Sequence, residues 1–563
     1  MTHSMTRKLL ALIAALALAL TLPLGALADY AAPGTWPITT EPKEITVMVA
    51  NSDIENSFAD FYMTQWYEEK TGVHVNWIDT AHDSFVEKMN LALASGDPID
   101  FITALNNTST RVTTSQVQKY ADQGLILGLN ELIDNYAPNM KAALESRDGW
   151  RESITLSDGE MYTMPYLNEC FHCTYYGKMW VNTVWLDNLG LAIPTTTEEF
   201  ADMLRAFRDQ DANGNGDPSD EIPFTGAIDA YHCKVDTYLM SAFIYDDGEN
   251  RLMVNDDKQI VAVYTDPLFK EGLEYIHGLY EEGLIYPDSF TQTRSDRNAI
   301  NGQKYESLFG AMPNCHHGIG GGRDTDAGEP ARWLEYQPIK PLVGPNGLQT
   351  TRVNYYDNFG LGFLTSFIPA TCTDPELVIR WLDLLFTEEG RQMQYLGEYG
   401  YSWTDPDEGA LGVDGSAATY KTITLAQDDP YYGKMNWGQV FPQYLTKELR
   451  SGSQMPAMDT PDGSGLEAYL YYYTAENYEP YGIAIENVVP PLYFSEDVVS
   501  DAARVQTDIN TYVEECIAKF ITGEMDIESG WDSFQEQLKV IGLDEYLGYM
   551  QAAYEASAYY NAD

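Results

Sequence analysis

The sequence predicts an α/β fold with a helical C-terminal region. Residues 44–104 alternate short β-rich runs with helical runs, the pattern of a parallel sheet joined by helical crossovers. Residues 498–556 keep helical spacing almost throughout.

The elements follow in order. Residues 44–50 (EITVMVA) form a β-rich run ending at Asn51 and Ser52. Residues 58–70 have helical spacing and stop at Thr71-Gly72. Residues 73–78 (VHVNWI) are the next strand. Residues 84–94 are an amphipathic helix closed by Ser95-Gly96-Asp97-Pro98. Residues 100–104 (DFITA) are a third strand, leading into Asn106, Asn107 and Thr108. Ligands collect at the carboxyl ends of strands in open α/β sheets, which puts Asn51, Ser52, Asn106 and Asn107 at a cleft edge. Each also suits a plain loop cap. Further on, 195–199 (TTTEE) is a capping box that opens a helix. Residues 266–283 are helical with a glycine stop. Asp374-Pro375 starts a helix that continues to Glu389. Residues 308–314 (LFGAMPN) read as a strand before His316 and His317. That pair is a candidate ligand contact or metal pair, although adjacent side chains point apart in a strand.

The N-terminus has the layout of a signal peptide. Arg7 and Lys8 are basic, 9–24 is apolar, and Ala26-Leu27-Ala28 is a cleavage site, so the expected mature chain begins at Asp29. No cysteine lies near that site, and the expected exported protein has no N-terminal lipid anchor.

Acidic residues number 85 against 33 basic ones, for a net charge of −52. Such a surface repels nucleic acid and anionic membranes and draws cations. The length allows two or three domains. Six cysteines in 563 residues do not make a disulfide scaffold. Cys170 and Cys173 form a CxxC for which a disulfide, buried thiols and a metal pair all stand open, with buried thiols the default.

Residues 209–223 (DQDANGNGDPSDEIP) are the most specific local signal. Oxygen donors recur at Asp211, Asn213, Asn215 and the backbone of Asp217, with Gly214 and Gly216 between them, and Asp220 and Glu221 follow. Hard cations such as Ca²⁺ take six to eight oxygens from such a loop. Its first half resembles an EF-hand loop; its second half lacks the Glu at position twelve. A solvated Asx/Gly turn is the plainer alternative.

Eight segments in order carry a wider resemblance: KMNLALASGDPIDFI (88–102), YADQGLILGLNELIDNYAPN (120–139), DGEMYTMPY (158–166), VWLDNLGLAIPTTTEEF (184–200), DANGNGDPSDEIPF (211–224), GLYEEGLIYP (278–287), FITGEMDIESGWDSF (520–534) and MQAAYEA (550–556). The chain resembles the family 1 extracellular solute-binding proteins of bacterial ABC transporters, in the lipoprotein-like branch with the alginate oligosaccharide-binding proteins. The resemblance implies a two-lobed, periplasmic-binding-protein-like fold with a central cleft, 29–563 making two discontinuous lobes, the first beginning at about 44–165. It implies structural calcium on Asp211, Asn213, Asn215, the Asp217 carbonyl, Asp220 and Glu221, with one extra residue before the closing acidic pair. It implies a permease partner and no catalysis. We expect a monomer.

Aromatic richness (40 Tyr, 20 Phe, 11 Trp) suits a saccharide, whose CH faces stack on rings while its hydroxyls bond amides and carboxylates. Candidate ligand residues are Tyr355, Tyr401 and Trp403 for stacking, with Asn51, Asn106 and Asp357 for hydrogen bonds. Core packing is the competing explanation for any single aromatic. A secreted calcium-stabilised glycoside hydrolase would need two carboxylates across a sugar, and with 85 acidic residues that condition discriminates nothing. The chain has no GxSxG, HExxH or P-loop. A non-transport surface carbohydrate-binding protein is the other alternative.

Overall fold

The computed structural model describes residues 30–560 apart from 106–109, 111, 148, 157, 230, 303–306, 316–331, 357–363, 427, 459–464, 496 and 558. The signal-peptide segment, Asn106, Asn107, Asp357, His316 and His317 lie outside the described residues.

The first sheet runs in the order Leu364–Phe367, Phe101–Leu105, Lys43–Asn51, Val73–Ala81. The last three strands are parallel, with Val47 opposite Phe101 and Ile45 opposite Val75. Leu364–Phe367 pairs antiparallel with Phe101–Leu105. Alternation along the central strand sends Val47 and Val49 into one core with Met63 and Tyr67, and Met48 and Ala50 into another with Phe85 and Met89. Helices Tyr62–Thr71 and His82–Ser95 thus cover opposite faces. A strand buried on both faces has to be apolar at successive positions, as VMVA is. Gly72 ends the first helix at φ 73°, and a Cβ there would sit 2.6 Å from the Thr39 carbonyl oxygen.

Two helices differ from the sequence reading. The first starts at Tyr62, after a 3₁₀ turn at Phe58–Asp60 and an extended Phe61. Phe58 is buried and stacks on Phe61 (4.7 Å) and Trp77 (5.4 Å), and this packing holds the chain off the helical path. The helix expected from Asp374 to Glu389 is broken. Pro375–Asp383 passes into a 3₁₀ turn at Leu384–Phe386, and Glu388–Leu396 starts afresh where the Thr387 hydroxyl accepts from Gly390 N (3.0 Å).

The second sheet is mixed, in the order Tyr336–Ile339, Met179–Asn182, Phe309–Pro313, Ile222–Phe224. Met179–Asn182 runs antiparallel to both of its neighbours, and Ile222–Phe224 runs parallel to Phe309–Pro313. Its core joins Phe200, Leu204 and Phe207 of helix Thr197–Asp209 to Leu273 and Ile276 of Pro267–Glu281. The C-terminal helices Val499–Thr522, Ile527–Ile541 and Leu543–Ala556 complete it through Val505, Ile509, Phe520, Phe534 and Tyr546. The two sheets and their helices make a two-lobed α/β fold.

Core membership makes the order of elements pass between the two cores three times, at connections called crossings below: after strand Tyr166–Asn168, after strand Tyr336–Ile339 and after strand Gln443–Leu445. Tyr166–Asn168 pairs with Gln443–Leu445, so the first and third crossings leave the first lobe side by side.

Candidate functional site

Strand direction locates the cleft. The carboxyl ends of the first sheet's parallel strands are Asn51, Ala81 and Leu105, and Leu364 lies opposite Leu105 at the same edge. In the second sheet Pro313 and Phe224 are carboxyl ends, and antiparallel Met179–Asn182 begins beside them, since Asn314 N donates to the Lys178 carbonyl (2.9 Å). The second crossing leaves the carboxyl end Ile339 and enters at Leu364. Each sheet therefore turns its ligand-collecting edge toward the crossings.

On the first lobe, Tyr62 opens the helix that follows Asn51 and its loop. Tyr401 stacks on Tyr62 (6.1 Å, 21°), and Tyr431 meets Tyr62 edge-on at 5.1 Å. The Tyr401 hydroxyl donates to Asp429 (2.6 Å), and that bond pushes its pKa up to about 12, keeping it a neutral donor. Trp403 stands apart with Tyr399 (5.0 Å) and Tyr420 (6.4 Å). Its indole N–H donates to the Gly397 carbonyl (2.9 Å). Asn51 is turned inward: its amide donates to Asp79 (2.8 Å) and the Asn56 carbonyl (2.9 Å), and its oxygen accepts from Asp53 N (2.9 Å). Both amide hydrogens serve the strand-end loop and order the edge, while the oxygen keeps a second acceptor site.

On the second lobe, Tyr176 and His232 stack at 6.4 Å and 22°, both half-buried, with the Arg352 guanidinium 5.9 Å from the Tyr176 ring. Burial pushes the Lys178 ammonium down to about 7; its Nζ donates to the carbonyls of His172 (2.7 Å) and Tyr175. Burial works against the Cys315 thiolate, but His232, Lys178 and Arg294 outweigh it and draw that thiol below its ordinary range. No local motif in the sequence marks His232. Tyr355 belongs to the crossings: its hydroxyl donates to the Ile483 carbonyl (2.9 Å), and its ring meets Tyr175 at 6.4 Å.

Residues 51–392 match the family described as bacterial extracellular solute-binding protein, well over half of the chain. The chain belongs to that family. As a solute-binding protein it is 27% identical over 548 residues to the fructooligosaccharide ABC transporter substrate-binding protein FusA of Streptococcus pneumoniae, covering 94% of this chain and 93% of FusA. The structure of FusA with kestose superposes with a TM-score of 0.73 at 24% identity, over 91% of this chain and 99% of that one. An EF-hand mutant of FusA with fructo-nystose gives 0.71 at 23% identity, over 92% and 99%. The alginate-binding protein AlgQ2 without calcium gives 0.66 at 20% identity, over 93% and 100%.

This solute-binding protein gathers all six residues expected at a metal into the loop between helix Thr197–Asp209 and strand Ile222–Phe224. Gly214 and Gly216 take φ of 75° and 93°, the left-handed turns that let the loop curl. Glu221 Oε1 accepts from the N–H groups of Ala212 (2.9 Å) and Asn213 (3.3 Å), and Asp211 Oδ2 from that of Gly216 (2.9 Å). The other oxygens, Asp211 Oδ1 and Glu221 Oε2, are buried without any hydrogen-bond donor. Buried carboxylate oxygens without partners are costly, and a bound cation would remove that cost. Asp220 accepts from the amides of Asn213 (2.9 Å) and Asn215 (3.1 Å), while the Asp217 side chain turns to Ser219. This all-oxygen donor set fits a hard cation.

The cysteine default is corrected as well. Cys170 and Cys173 are a disulfide, because the four-residue helix Phe171–Thr174 brings their Cα atoms to 5.2 Å. That turn is where the crossings meet. Asn354 N donates to the Thr174 carbonyl (2.7 Å), Phe171 packs on Tyr471 (4.6 Å), and His172 Nε2 lies 3.5 Å from Glu467. Among the described residues no helix is long and apolar enough to cross a membrane.

Proposed function

We propose that this protein is the solute receptor of an ABC importer for sugars, capturing an oligosaccharide of the fructooligosaccharide class by lobe closure and doing no chemistry on it. The observation that carries the reading is the pairing of aromatic platforms, Tyr62 with Tyr401 on one lobe edge and Tyr176 with His232 on the other, within a chain related along nearly its whole length to FusA. Rings on both edges give a bound sugar more contact in the closed state than in the open one, and only such a difference drives closure. Tyr355 and Trp403 join them as stacking faces, with Asn106 and Asp357 as hydrogen-bonding groups. A permease is the partner that takes the sugar on.

The 211–221 loop holds structural Ca²⁺ through Asp211, Asn213, Asn215, the Asp217 carbonyl, Asp220 and Glu221. The ion supplies charge neutralisation and crosslinks the loop.

Calorimetry with kestose and nystose, with maltotriose and alginate oligosaccharides as comparisons, tests the reading. A micromolar Kd, about −8 kcal/mol, together with a smaller radius of gyration on binding and unchanged sugar recovered afterwards, supports it. Hydrolysis of the sugar, tight binding without compaction, or no binding of fructans sinks it.

A further inference from the structure

The disulfide at the crossing hub has a third partner. Ligand atoms of Cys170, His172 and Cys173 lie within 4.8 Å of one another, and among the described residues no other group of three Cys, His, Asp or Glu side chains is gathered so closely. The His172 ring lies beside Cys173, with Nδ1 3.9 Å and Nε2 4.0 Å from Sγ. Its Nε2 also meets the Glu467 carboxylate at 3.5 Å, which Arg450 holds at 3.1 Å. A cavity lined by Phe171, His172, Arg450, Ser451, Glu467 and Tyr471 opens onto the imidazole.

We propose that the reduced form of this turn is a zinc site, with Cys170 Sγ, Cys173 Sγ and His172 Nδ1 as ligands.

The geometry is near what the ion needs. Zn–S bonds of about 2.3 Å and Zn–N bonds of about 2.0 Å set neighbouring tetrahedral ligands roughly 3.5–3.8 Å apart. The His172–Cys173 spacing is already close to that, and one turn of helix lets the two sulfurs part by rotation about χ1. Glu467 supplies the outer partner: by accepting from Nε2–H it fixes the tautomer that leaves the Nδ1 lone pair free. Three protein ligands leave a fourth position for water from the cavity. Soft thiolates select zinc, whereas the oxygen loop at 211–221 selects a hard ion, so the two sites do not compete.

The redox balance is simple. A small dithiol or a phosphine in water supplies two electrons and two protons, breaking the S–S bond to give two thiols while the reductant becomes a disulfide or a phosphine oxide. Zinc then displaces both thiol protons to solvent and binds two thiolates. The oxidised turn has no thiolate to offer, so binding is conditional on reduction.

The test uses the full chain with calcium present to fill the oxygen loop. Protein reduced with a phosphine is freed of reductant without air and titrated with Zn²⁺ against a chromophoric chelator, and separately with Co²⁺ as an optical probe. Reduced wild type should bind one tight ion more than oxidised wild type and show thiolate-to-cobalt charge-transfer absorption. The Cys170→Ser/Cys173→Ser double variant should lose both, and His172→Ala should weaken zinc by roughly ten- to a hundredfold. Equal ion counts in reduced wild type and the double serine variant overturn the proposal, because the four remaining thiols are common to both. So does a cobalt complex without thiolate absorption, and so does loss of far-ultraviolet circular dichroism when the reduced protein is titrated.

Discussion

Arg450, within the third crossing, and Glu467, at the start of the helix that follows it, are joined by an ion pair of 3.1 Å, and the same carboxylate reaches His172 in the first crossing. Burial opposes the charge on Glu467, but His172 and Arg450 outweigh it and hold its carboxyl well below the usual range. The Glu467 side chain is 59% exposed, so water screens the pair and its worth is about 1 kcal/mol or less. A depressed carboxyl gives stability that is present at neutral pH and lost as pH falls through its folded pKa. Glu467→Gln should barely move the melting temperature yet raise amide exchange in helix Lys447–Ser451 at neutral pH; equal exchange in both proteins argues against a tie between crossings.

The 211–221 loop should respond to a chelator. Ca²⁺ at 100-fold above Kd adds about 2.7 kcal/mol to the folded state. Glu221→Gln should abolish that gain. Its effect in calcium-free protein has the opposite sign. Burial raises the Glu221 carboxyl, and the charge on Asp220 adds to it. The fold therefore binds this proton more tightly than the unfolded chain does, and stability falls as pH rises through the raised pKa. Calcium-free Glu221→Gln should melt higher than calcium-free wild type at pH 7.

Lys178 gives a second pH signature. Its ammonium is pushed down to about 7 by burial, so between about pH 7 and 10.5 the unfolded chain holds a proton the folded chain has lost. Stability gains up to about 1.4 kcal/mol per pH unit from this residue across that window. Urea melts of wild type and Lys178→Met at pH 7 and 9 should show a rise in wild type that the variant lacks.

Arg251 is 1% exposed and reaches Asp236 (2.6 Å), Asp246 and Glu514 (3.1 Å), the last on helix Val499–Thr522. Removing it strands buried carboxylates, so Arg251→Met should cost about 3–5 kcal/mol in denaturant melts. Burial pushes Asp246 up to about 6 even with Arg251 opposing, so part of the loss should return on lowering the pH to 6 or below. A cost under 1 kcal/mol would show that the network adds little.

The two aromatic platforms should contribute separately. Tyr401→Ala and Tyr176→Ala should each weaken the sugar by about 1–2 kcal/mol, roughly five- to thirtyfold in Kd. Calorimetry in which only one of them matters would place the sugar on a single lobe.

Much of this was legible locally. Gly72 and Gly96 marked helix ends, because a left-handed residue is needed where the last carbonyls turn back. Thr196 and Glu199 marked a helix start, since each side chain caps the other's backbone. The alternation of Asp211, Asn213 and Asn215 marked the oxygen loop. What escaped depends on distance along the chain. Phe58 leaves the helix because Trp77 and Phe441 pack on it. His232 becomes part of an edge because Tyr176 is brought beneath it. The Asn51 amide is engaged because the fold brings Asp79 beside it from the next strand.

The first lobe's sheet is finished by Leu364–Phe367, and the second lobe's core by the three C-terminal helices. During synthesis neither lobe can close until far-downstream residues leave the ribosome, and contacts so distant in sequence form slowly. A lobe completed by such distant residues closes later than one built from neighbouring stretches of chain. In that interval its apolar stretches are bare, and the mutual repulsion of chains carrying a charge of −52 keeps them from clumping.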